Sequence, residues 1–304
     1  MELRDADLAV RTRGLTKNFG KRTVVDGLDL AIPRGSVYGF LGPNGSGKST
    51  TMKMLLGLLH PSAGQISLLG EDPWGEARAR LMPRIGSMIE HPPGYGHLTG
   101  AENMRLLARL LNLETTRIDR ALELVRLTDH RDRLQRTYSL GMKQRLGMAM
   151  ALAREPELLI LDEPTNGLDP AGIEEIRELM IHLASGGVTV MISSHLLAEI
   201  DRMADILGVL SQGRLVFQGS RKELFERSIP DLLVVTPQAD AAANLVRGCR
   251  LERNGIRVQG CGQEDAARLI VRLVQAGIPI HEVRRLQQSL EAVFMDLTGG
   301  VEAL

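Results

Sequence analysis

The 304-residue chain carries 37 basic and 37 acidic side chains, so its formal net charge of zero gives no overall attraction to nucleic acid. Two cysteines, Cys249 and Cys261, are too few for a disulfide-stapled secreted fold. The first ten residues carry charges where a signal peptide would be apolar, and no apolar run approaches the ~18 residues that a membrane span needs. These features predict a globular protein without its own leader or membrane span.

The first informative pattern is a glycine-rich segment between a strand and a helix. Alternating and apolar residues predict strands at Leu8–Leu15, Lys21–Val25 and Leu28–Ile32, followed by the apolar run Val37–Leu41. The next nine residues read GPNGSGKST and lead into a helical pattern. A glycine, four residues and Gly-Lys-Ser between a strand and a helix form the phosphate-binding P-loop pattern.

Each residue type in this P-loop has a physical reason to bind a nucleoside triphosphate. Glycines let successive backbone N–H groups turn toward phosphate oxygens, and the helix presents its positive end to the same anion. Lys48 would reach the β- and γ-phosphates as a catalytic residue, and the Ser49 hydroxyl would bind Mg²⁺. A glycine-rich turn that binds nothing is the alternative, which the flanking strand and helix disfavour. The predicted nucleotide ligands are Gly42, Pro43, Asn44, Gly45, Ser46, Gly47, Lys48, Ser49 and Thr50.

The remaining pattern up to about residue 220 alternates strands and helices, which predicts an α/β sheet with helices on its faces. A helical leucine pattern covers Ala101–Thr128. Further strands are predicted at Gln65–Leu69, Arg84–Ile89, Leu158–Leu161, Val188–Ile192, Ile206–Leu210 and Arg214–Gln218, and further helices at Gly172–Leu183 and Leu196–Met203.

A domain boundary is predicted near Arg227–Asp231. From Leu232 to Leu286 the pattern is β-α-β-β-α-β, which suggests a small ferredoxin-like module, and Ser289–Leu297 would be a closing helix. Because ferredoxin-like folds serve many functions, this pattern alone does not assign a role.

Two carboxylates complete a candidate site with the P-loop. Asp162 and Glu163 follow the apolar run Leu158–Leu161, and open α/β sheets bind ligands at the carboxyl ends of their strands. Asp162 would bind Mg²⁺ directly or through water, and Glu163 is placed to polarise an attacking water as the catalytic base. A solvent-facing acidic pair is the alternative, which the preceding P-loop disfavours.

With these motifs in order, the chain from about Leu8 to Ser220 resembles the nucleotide-binding subunits of ABC transporters. Three further segments carry the resemblance: Tyr138–Gln144, YSLGMKQ, matches the signature segment; Asn166–Asp169, NGLD, matches the D-loop; Ser193–His195, SSH, matches the switch histidine. The resemblance implies that Phe19 stacks on adenine, that Ser139 and Gly141 contact the γ-phosphate held by a second subunit, that Asp169 belongs to the dimer interface, and that His195 contacts the γ-phosphate.

The same resemblance implies an architecture and a mechanism. It predicts an ABC-type P-loop ATPase domain of α/β fold over residues 1–227, with a helical subdomain at about 91–156 and a ferredoxin-like accessory domain at 228–304. Two copies would close head to tail on two ATP molecules with Mg²⁺. A separate transmembrane permease would convert that motion into transport, and the chain would lie on the cytoplasmic face of the cell membrane.

Two positions depart from the general family pattern. Glu90 stands where glutamine is usual, so that Mg²⁺ or a basic residue must balance its added charge. This substitution resembles the subgroup linked to bacitracin-type and lantibiotic self-protection, and it implies that Glu90 is a nucleotide and metal ligand. The alternative is a drifted loop whose Glu90 faces water. The second departure, Leu140, replaces a glycine and narrows the approach to phosphate.

Two classes of function follow. The leading interpretation is an ATP-hydrolysing, energy-coupling subunit of a bacterial exporter of peptide antibiotics or other drugs, with the accessory domain pairing with its twin, contacting the permease or sensing a ligand. The alternative is a soluble ABC-type ATPase that acts on the ribosome or on nucleic acid. A single ATPase cassette and the neutral net charge argue against the alternative.

Overall fold

The computed structural model describes residues 4–194, 197–227, 229–286 and 290–298. It divides into two compact units, the first of which contains the chain up to Ser220, while the second spans Arg221–Asp296. Nowhere in these ranges is a helix both long enough and apolar enough to cross a bilayer.

The first unit contains ten strands and seven α-helices within the described ranges. Its strands are β1 (Leu8–Phe19), β2 (Arg22–Leu28), β3 (Ala31–Pro33), β4 (Val37–Leu41), β5 (Ala63–Leu68), β6 (Ile85–Met88), β7 (Leu158–Asp162), β8 (Thr189–Ser194), β9 (Ile206–Ser211) and β10 (Arg214–Ser220). Its helices are α1 (Lys48–Leu55), α2 (Arg78–Leu81), α3 (Gly100–Leu111), α4 (Thr115–Leu124), α5 (Leu140–Leu152), α6 (Pro170–Ser185) and α7 (Leu197–Asp201).

A six-stranded sheet in the order β10-β9-β4-β8-β7-β6 forms the centre of this unit. The strands from β9 to β6 run parallel, and only the edge strand β10 is antiparallel to its neighbour. All residues of β4, β7 and β8 are buried, which explains why these segments are nearly continuous apolar runs. Because parallel strands end at the same edge, the P-loop follows β4 beside the carboxyl ends of β7 and β8.

A second sheet covers one side of the P-loop. It is antiparallel, with β1 in contact with β2, β3 and β5. Its apolar residues share one core with the central sheet and with α1, which buries Tyr38, Phe40, Met52, Ile160 and Met191 completely. This shared core fixes the end of β1, where Phe19 lies, relative to the P-loop.

The helical pattern at Ala101–Thr128 is interrupted in the structure. It contains α3 and α4, which are separated at Asn112, whose backbone is left-handed with a φ of 53°. A reciprocal capping box of Thr99 and Glu102 starts α3. The leucine spacing continues across the break, so the periodicity could not reveal it, whereas asparagine is one of the few residues that tolerate this conformation.

The second unit is an antiparallel sheet with the element order β-α-β-β-α-β at its centre. Its strands are β11 (Asp231–Val235), β12 (Arg250–Glu252), β13 (Gly255–Val258) and β14 (Glu282–Leu286), in the sheet order β12-β13-β11-β14, and its helices are α8 (Arg221–Arg227), α9 (Ala239–Leu245), α10 (Gln263–Gln275) and α11 (Leu290–Thr298). Its own core buries Leu232, Val234, Ile256 and Leu273. Cys249 and Cys261 are free thiols.

Candidate nucleotide-binding site

The P-loop backbone has a shape that depends on glycine. Gly45 and Gly47 have φ values of 77° and 110°, which side chains with a Cβ rarely adopt. A Cβ on Gly47 would also lie only 2.8 Å from the Val24 carbonyl oxygen, so β2 packs directly against the loop. In the part of the chain that the structure describes, no atom beyond the adjacent residues lies within 4 Å of the position of a Cβ on Gly45, which leaves that side of the loop open.

Lys48 starts α1 and points back into the loop. Its ammonium Nζ donates hydrogen bonds to the carbonyl oxygens of Gly42 at 2.5 Å and Pro43 at 3.3 Å. Burial lowers the pKa of Lys48, while the charges of Glu163 and Asp162 act in the opposite direction. The Lys48 ammonium is already partly removed from water, so binding an anion would cost little further desolvation.

The loop also contains a buried hydroxyl whose hydrogen-bonding capacity is unused. Ser46 is 3 % exposed, and its Oγ has no hydrogen-bond partner in the described part of the chain. A buried polar atom of this kind normally has a partner. Ser46 does not line the cavity described below, whereas the open backbone near Gly45 and the ammonium of Lys48 fit a bound phosphate group.

A serine from the neighbouring strand contacts both predicted acidic residues, Asp162 through its carboxylate and Glu163 through its backbone. The Ser193 hydroxyl lies opposite Asp162 across the β7–β8 pair and donates to Asp162 Oδ1 at 2.5 Å. The same Ser193 Oγ accepts a hydrogen bond from the backbone N–H of Glu163 at 3.0 Å. Glu163 has a left-handed backbone with a φ of 51°. Such strained conformations persist where the surroundings hold them, often at functional sites.

Part of the P-loop, including Lys48, and the two strand-end residues Asp162 and Glu163 face a common cavity of about 360 Å³. Among the residues predicted as ligands, it brings together Phe19, Asn44, Gly45, Gly47, Lys48, Ser49, Thr50, Asp162 and Glu163. Arg22 and Val24, which the sequence did not single out, also line it. The position of Arg22 could have been inferred from its place just after the Phe19 turn, whereas Ser193 required knowledge of the β7–β8 register.

The aromatic side chain of Phe19 stands at the mouth of this cavity. It is 50 % exposed at the end of β1, and the Lys17 ammonium lies 5.2 Å from its ring centroid. A half-exposed ring beside a phosphate-binding loop offers a flat surface for a planar base. Phe19 is opposite Arg22 in the β1–β2 pair, so both side chains belong to one hairpin.

Glu90 is paired with a lysine and does not line the cavity. Its carboxylate forms an ion pair with the Lys53 ammonium on α1, the helix that follows the P-loop. This hydrogen bond and the charge of Lys53 hold the pKa of Glu90 below its usual value. Glu90 has a left-handed backbone with a φ of 65°. The basic residue that the added charge requires is therefore Lys53.

The predicted signature and D-loop residues lie outside the cavity walls within the described chain. Ser139 caps α5 by accepting a hydrogen bond from the Met142 backbone N–H at 3.2 Å. Asp169 caps α6 in the same way through the Gly172 N–H at 3.1 Å. The chain thus separates Ser139, Gly141 and Asp169 from its own P-loop cavity.

Two further expectations concern the histidine and the metal. His195 lies outside the described residues. No group of three or more His, Cys, Asp or Glu side chains that could hold a metal occurs in the ranges that the structure covers. Mg²⁺ commonly uses one or two protein ligands together with substrate phosphates and water. Ser49 and Asp162, both lining the cavity, are donors of that kind.

The known proteins that this chain resembles are parts of transporters. The family model described as "ABC transporter" matches residues 25–166. The bacitracin transport ATP-binding protein BcrA of Bacillus licheniformis is 39% identical over 301 residues, covering 96% of this chain and 97% of that protein. The lantibiotic transport ATP-binding protein SrtF of Streptococcus pyogenes is 42% identical, covering 72% and 97%. The structure of cbiO1 from Clostridium perfringens, part of the ABC transporter complex cbiONQ, superposes with a TM-score of 0.66 at 30% identity, covering 73% and 92%.

Proposed function

The chain belongs to the ABC transporter family as an ATPase subunit that works with a separate permease, and we propose that it drives the export of peptide antibiotics or other drugs. The relatives confirm both the family and the bacitracin and lantibiotic subgroup to which the sequence motifs pointed. The substrate class follows from BcrA and SrtF, which are named for bacitracin and lantibiotic transport and which the chain matches over almost their whole length.

We propose that the cavity holds ATP with Mg²⁺. ATP supplies the transferable γ-phosphoryl group, and Mg²⁺ neutralises charge on its phosphates. Lys48 exchanges its carbonyl partners for phosphate oxygens, and the P-loop N–H groups bind the same anion. Ser49 and Asp162 hold the metal, and Phe19 stacks on the adenine. The observation that carries the proposal is that one cavity gathers a phosphate-binding lysine, an aromatic platform and two strand-end carboxylates.

In the hydrolytic step, Glu163 accepts a proton from the attacking water as general base. Ser193 fixes the backbone N–H of Glu163 and one oxygen of Asp162, so the two carboxylates keep separate tasks. His195, which follows β8, contacts the γ-phosphate in this proposal. Glu90 exchanges Lys53 for the metal when the site is loaded.

The second half of each site comes from another copy of the chain. Ser139 and Gly141 at the start of α5 approach the γ-phosphate held by the partner copy, where the positive end of the helix favours an anion. Asp169 and the rest of the D-loop cross the same interface. Head-to-tail pairing explains why these residues lie outside the cavity of their own chain.

The proposal also places the protein at the membrane through its partner. A transmembrane permease binds the ATPase dimer on the cytoplasmic face, so the subunit is peripheral. Within the chain we propose residues 1–227 as the ABC-type domain, with the helical subdomain at about 91–156, and residues 228–304 as the accessory domain; α8 at this boundary belongs to the second compact unit.

A pull-down from native cells in gentle detergent tests this function. The bait is Glu163→Gln in the presence of Mg-ATP, which holds the closed dimer, and mass spectrometry identifies the proteins that accompany it. The Lys48→Ala variant, which does not hold ATP, is the matched control for binding that is independent of the nucleotide.

A multi-span membrane protein enriched with the Glu163→Gln bait supports the transporter role, and its deletion should sensitise the cells to a peptide antibiotic or another drug. Ribosomal proteins or nucleic acid without a permease would refute the transporter role. A permease whose loss changes only nutrient uptake would refute the export of antibiotics.

A further inference from the structure

Leu140, which replaces the usual glycine of the signature segment, packs against the D-loop. The Leu140 side chain lies over Gly167: a Cβ on Gly167 would be 2.1 Å from Leu140 Cδ2 and 2.8 Å from its Cγ. The next residue of each segment makes the reciprocal contact, between Gly141 and Leu168. A Cβ on Gly141 would be 2.8 Å from Leu168 Cδ2. The signature segment and the D-loop therefore each place a leucine against a glycine of the other segment.

This interlock accounts for the residue types on both sides. Gly167 has a φ of 77°, and the space that a side chain would need there is filled by Leu140. Leu140 is nevertheless 50 % exposed, so burial in the core of the chain does not explain a leucine at the first residue of α5. Its contact with the D-loop does. A glycine at position 140, as is usual in the family, would leave Gly167 uncovered.

A second contact joins α5 to α6, the helix that follows the D-loop. The Arg145 guanidinium on α5 forms an ion pair with Glu175 on α6 at 2.5 Å and donates to the Val125 carbonyl oxygen at 3.0 Å. The Arg145 side chain is only 15% exposed, so water screens this pair less than a surface pair. Since α6 begins directly after the D-loop, α5 contacts both the D-loop and the helix that follows it.

We propose that Leu140 is a positioning residue that locks the signature segment to the D-loop of the same chain, so that both reach the partner's nucleotide as one unit. The inference rests on the proposed head-to-tail dimer for its consequence, but the lock itself is a property of the single chain. Leu140 orients Ser139 and the D-loop Asp169, and Leu168 strengthens the same contact by packing on Gly141.

Hydrogen exchange of the nucleotide-free protein tests the lock without any dimer. The D-loop amides of Asn166 and Leu168 donate to the carbonyl oxygens of Glu163 and Thr165, at 3.2 and 3.1 Å. In Leu140→Ala these amides should exchange about three- to tenfold faster, because a local opening no longer has to separate the interlocked side chains. Leu110→Ala, on an α3 leucine that is 74 % exposed, is the matched control and should leave their exchange unchanged.

Dimerisation then tests the consequence. In a Glu163→Gln background, Leu140→Ala and Leu168→Ala should each weaken the ATP-dependent dimer by about three- to tenfold, and the double variant should be no weaker than the worse single variant. Residues that share one interaction behave non-additively in this way. Nucleotide binding to the monomer, measured with a fluorescent ATP analogue, should not change.

Unchanged D-loop exchange in Leu140→Ala would overturn the lock whether or not the protein dimerises. Additive losses in the double variant, or a loss of monomer nucleotide binding, would overturn its positioning role. If the Glu163→Gln parent does not dimerise with ATP, the proposed function fails while faster D-loop exchange still supports the lock.

Discussion

The two halves of the proposed nucleotide site differ in how far one chain completes them. In the P-loop half, Lys48 and Asp162 are 7 % exposed and Ser193 is fully buried, and hydrogen bonds connect the Asp162 carboxylate and the Glu163 backbone to the neighbouring strand. In the signature half, Ser139 is exposed and Leu140 is half exposed, and both lie outside the cavity.

This difference separates the proposed catalytic groups, which one chain holds, from the proposed dimer surface. Buried strand ends hold Asp162 and Glu163 in fixed positions, which suits electrostatic stabilisation of a phosphoryl group. In the proposed dimer, the signature half is a surface that another copy completes. Substitutions in the first half should therefore alter chemistry in every copy, whereas substitutions in the second should act through association.

The largest expected effect is in the P-loop half. Glu163→Gln should lower the turnover number for ATP hydrolysis by about 10²- to 10⁴-fold, because glutamine cannot accept a proton from water. ATP affinity should stay within about threefold, since the amide keeps the shape of the side chain. Phosphate release and equilibrium nucleotide binding measure the two quantities separately. Hydrolysis close to the parent rate would remove Glu163 from its role as base.

The next effect concerns the serine that connects the Asp162 carboxylate to the backbone of Glu163. Ser193→Ala should reduce turnover by about tenfold or more and lower the free energy of unfolding by about 1–3 kcal/mol, because it removes a buried hydrogen bond to Asp162 and one of the two bonds of the Glu163 N–H. Steady-state kinetics and urea unfolding measure these changes. Ser185→Ala, at an exposed serine at the end of α6, is the control and should change neither. Equal kinetics for both variants would show that Ser193 does not organise the site.

A smaller effect is expected at the mouth of the cavity. Phe19→Ala should weaken ATP binding by about five- to a hundredfold, since stacking of a base on an aromatic ring contributes about 1–3 kcal/mol. Turnover at saturating ATP should change little. Phe19→Trp keeps an aromatic surface and should restore affinity, as measured by titration calorimetry. Loss of affinity in both variants would indicate that Phe19 supports the hairpin rather than the base.

The smallest effect concerns the Glu90–Lys53 pair. Lys53→Met should return the pKa of Glu90 toward its ordinary value, because the hydrogen bond and charge that lower it are removed. The lowered pKa means that the pair contributes stability at pH values above the ordinary glutamate pKa and loses it as the pH falls through the lowered one. A carboxyl NMR titration of parent and variant checks this shift. An unchanged pKa would exclude Lys53 as the cause.

The sequence predicted the strand, loop and helix of the P-loop half because their signals are local. The strand, the loop and the helix that hold Lys48 and Ser49 are contiguous, and Asp162 and Glu163 directly follow their strand. The family resemblance, confirmed by the relatives, supplied the order of the motifs. The roles of these residues in binding and hydrolysis stay predictions.

The features that the sequence did not reveal depend on register and on packing between distant segments. Ser193 reaches Asp162 only because β7 and β8 pair in one register, and Lys53 reaches Glu90 from a different element. The contact of Leu140 with Gly167 joins segments 27 positions apart in the chain. Hydrophobic periodicity also continued across Asn112, so the break between α3 and α4 was hidden.

The solution mass of Glu163→Gln with and without Mg-ATP tests the central claim most directly, because the claim is that a second copy completes the site. Light scattering should show a dimer with Mg-ATP and a monomer with ADP. Adding Ser139→Arg should abolish the dimer while the monomer still binds ATP, since a bulky cation then occupies the start of α5. A monomer under all conditions, or a dimer that ignores both the nucleotide and Ser139→Arg, would contradict the account.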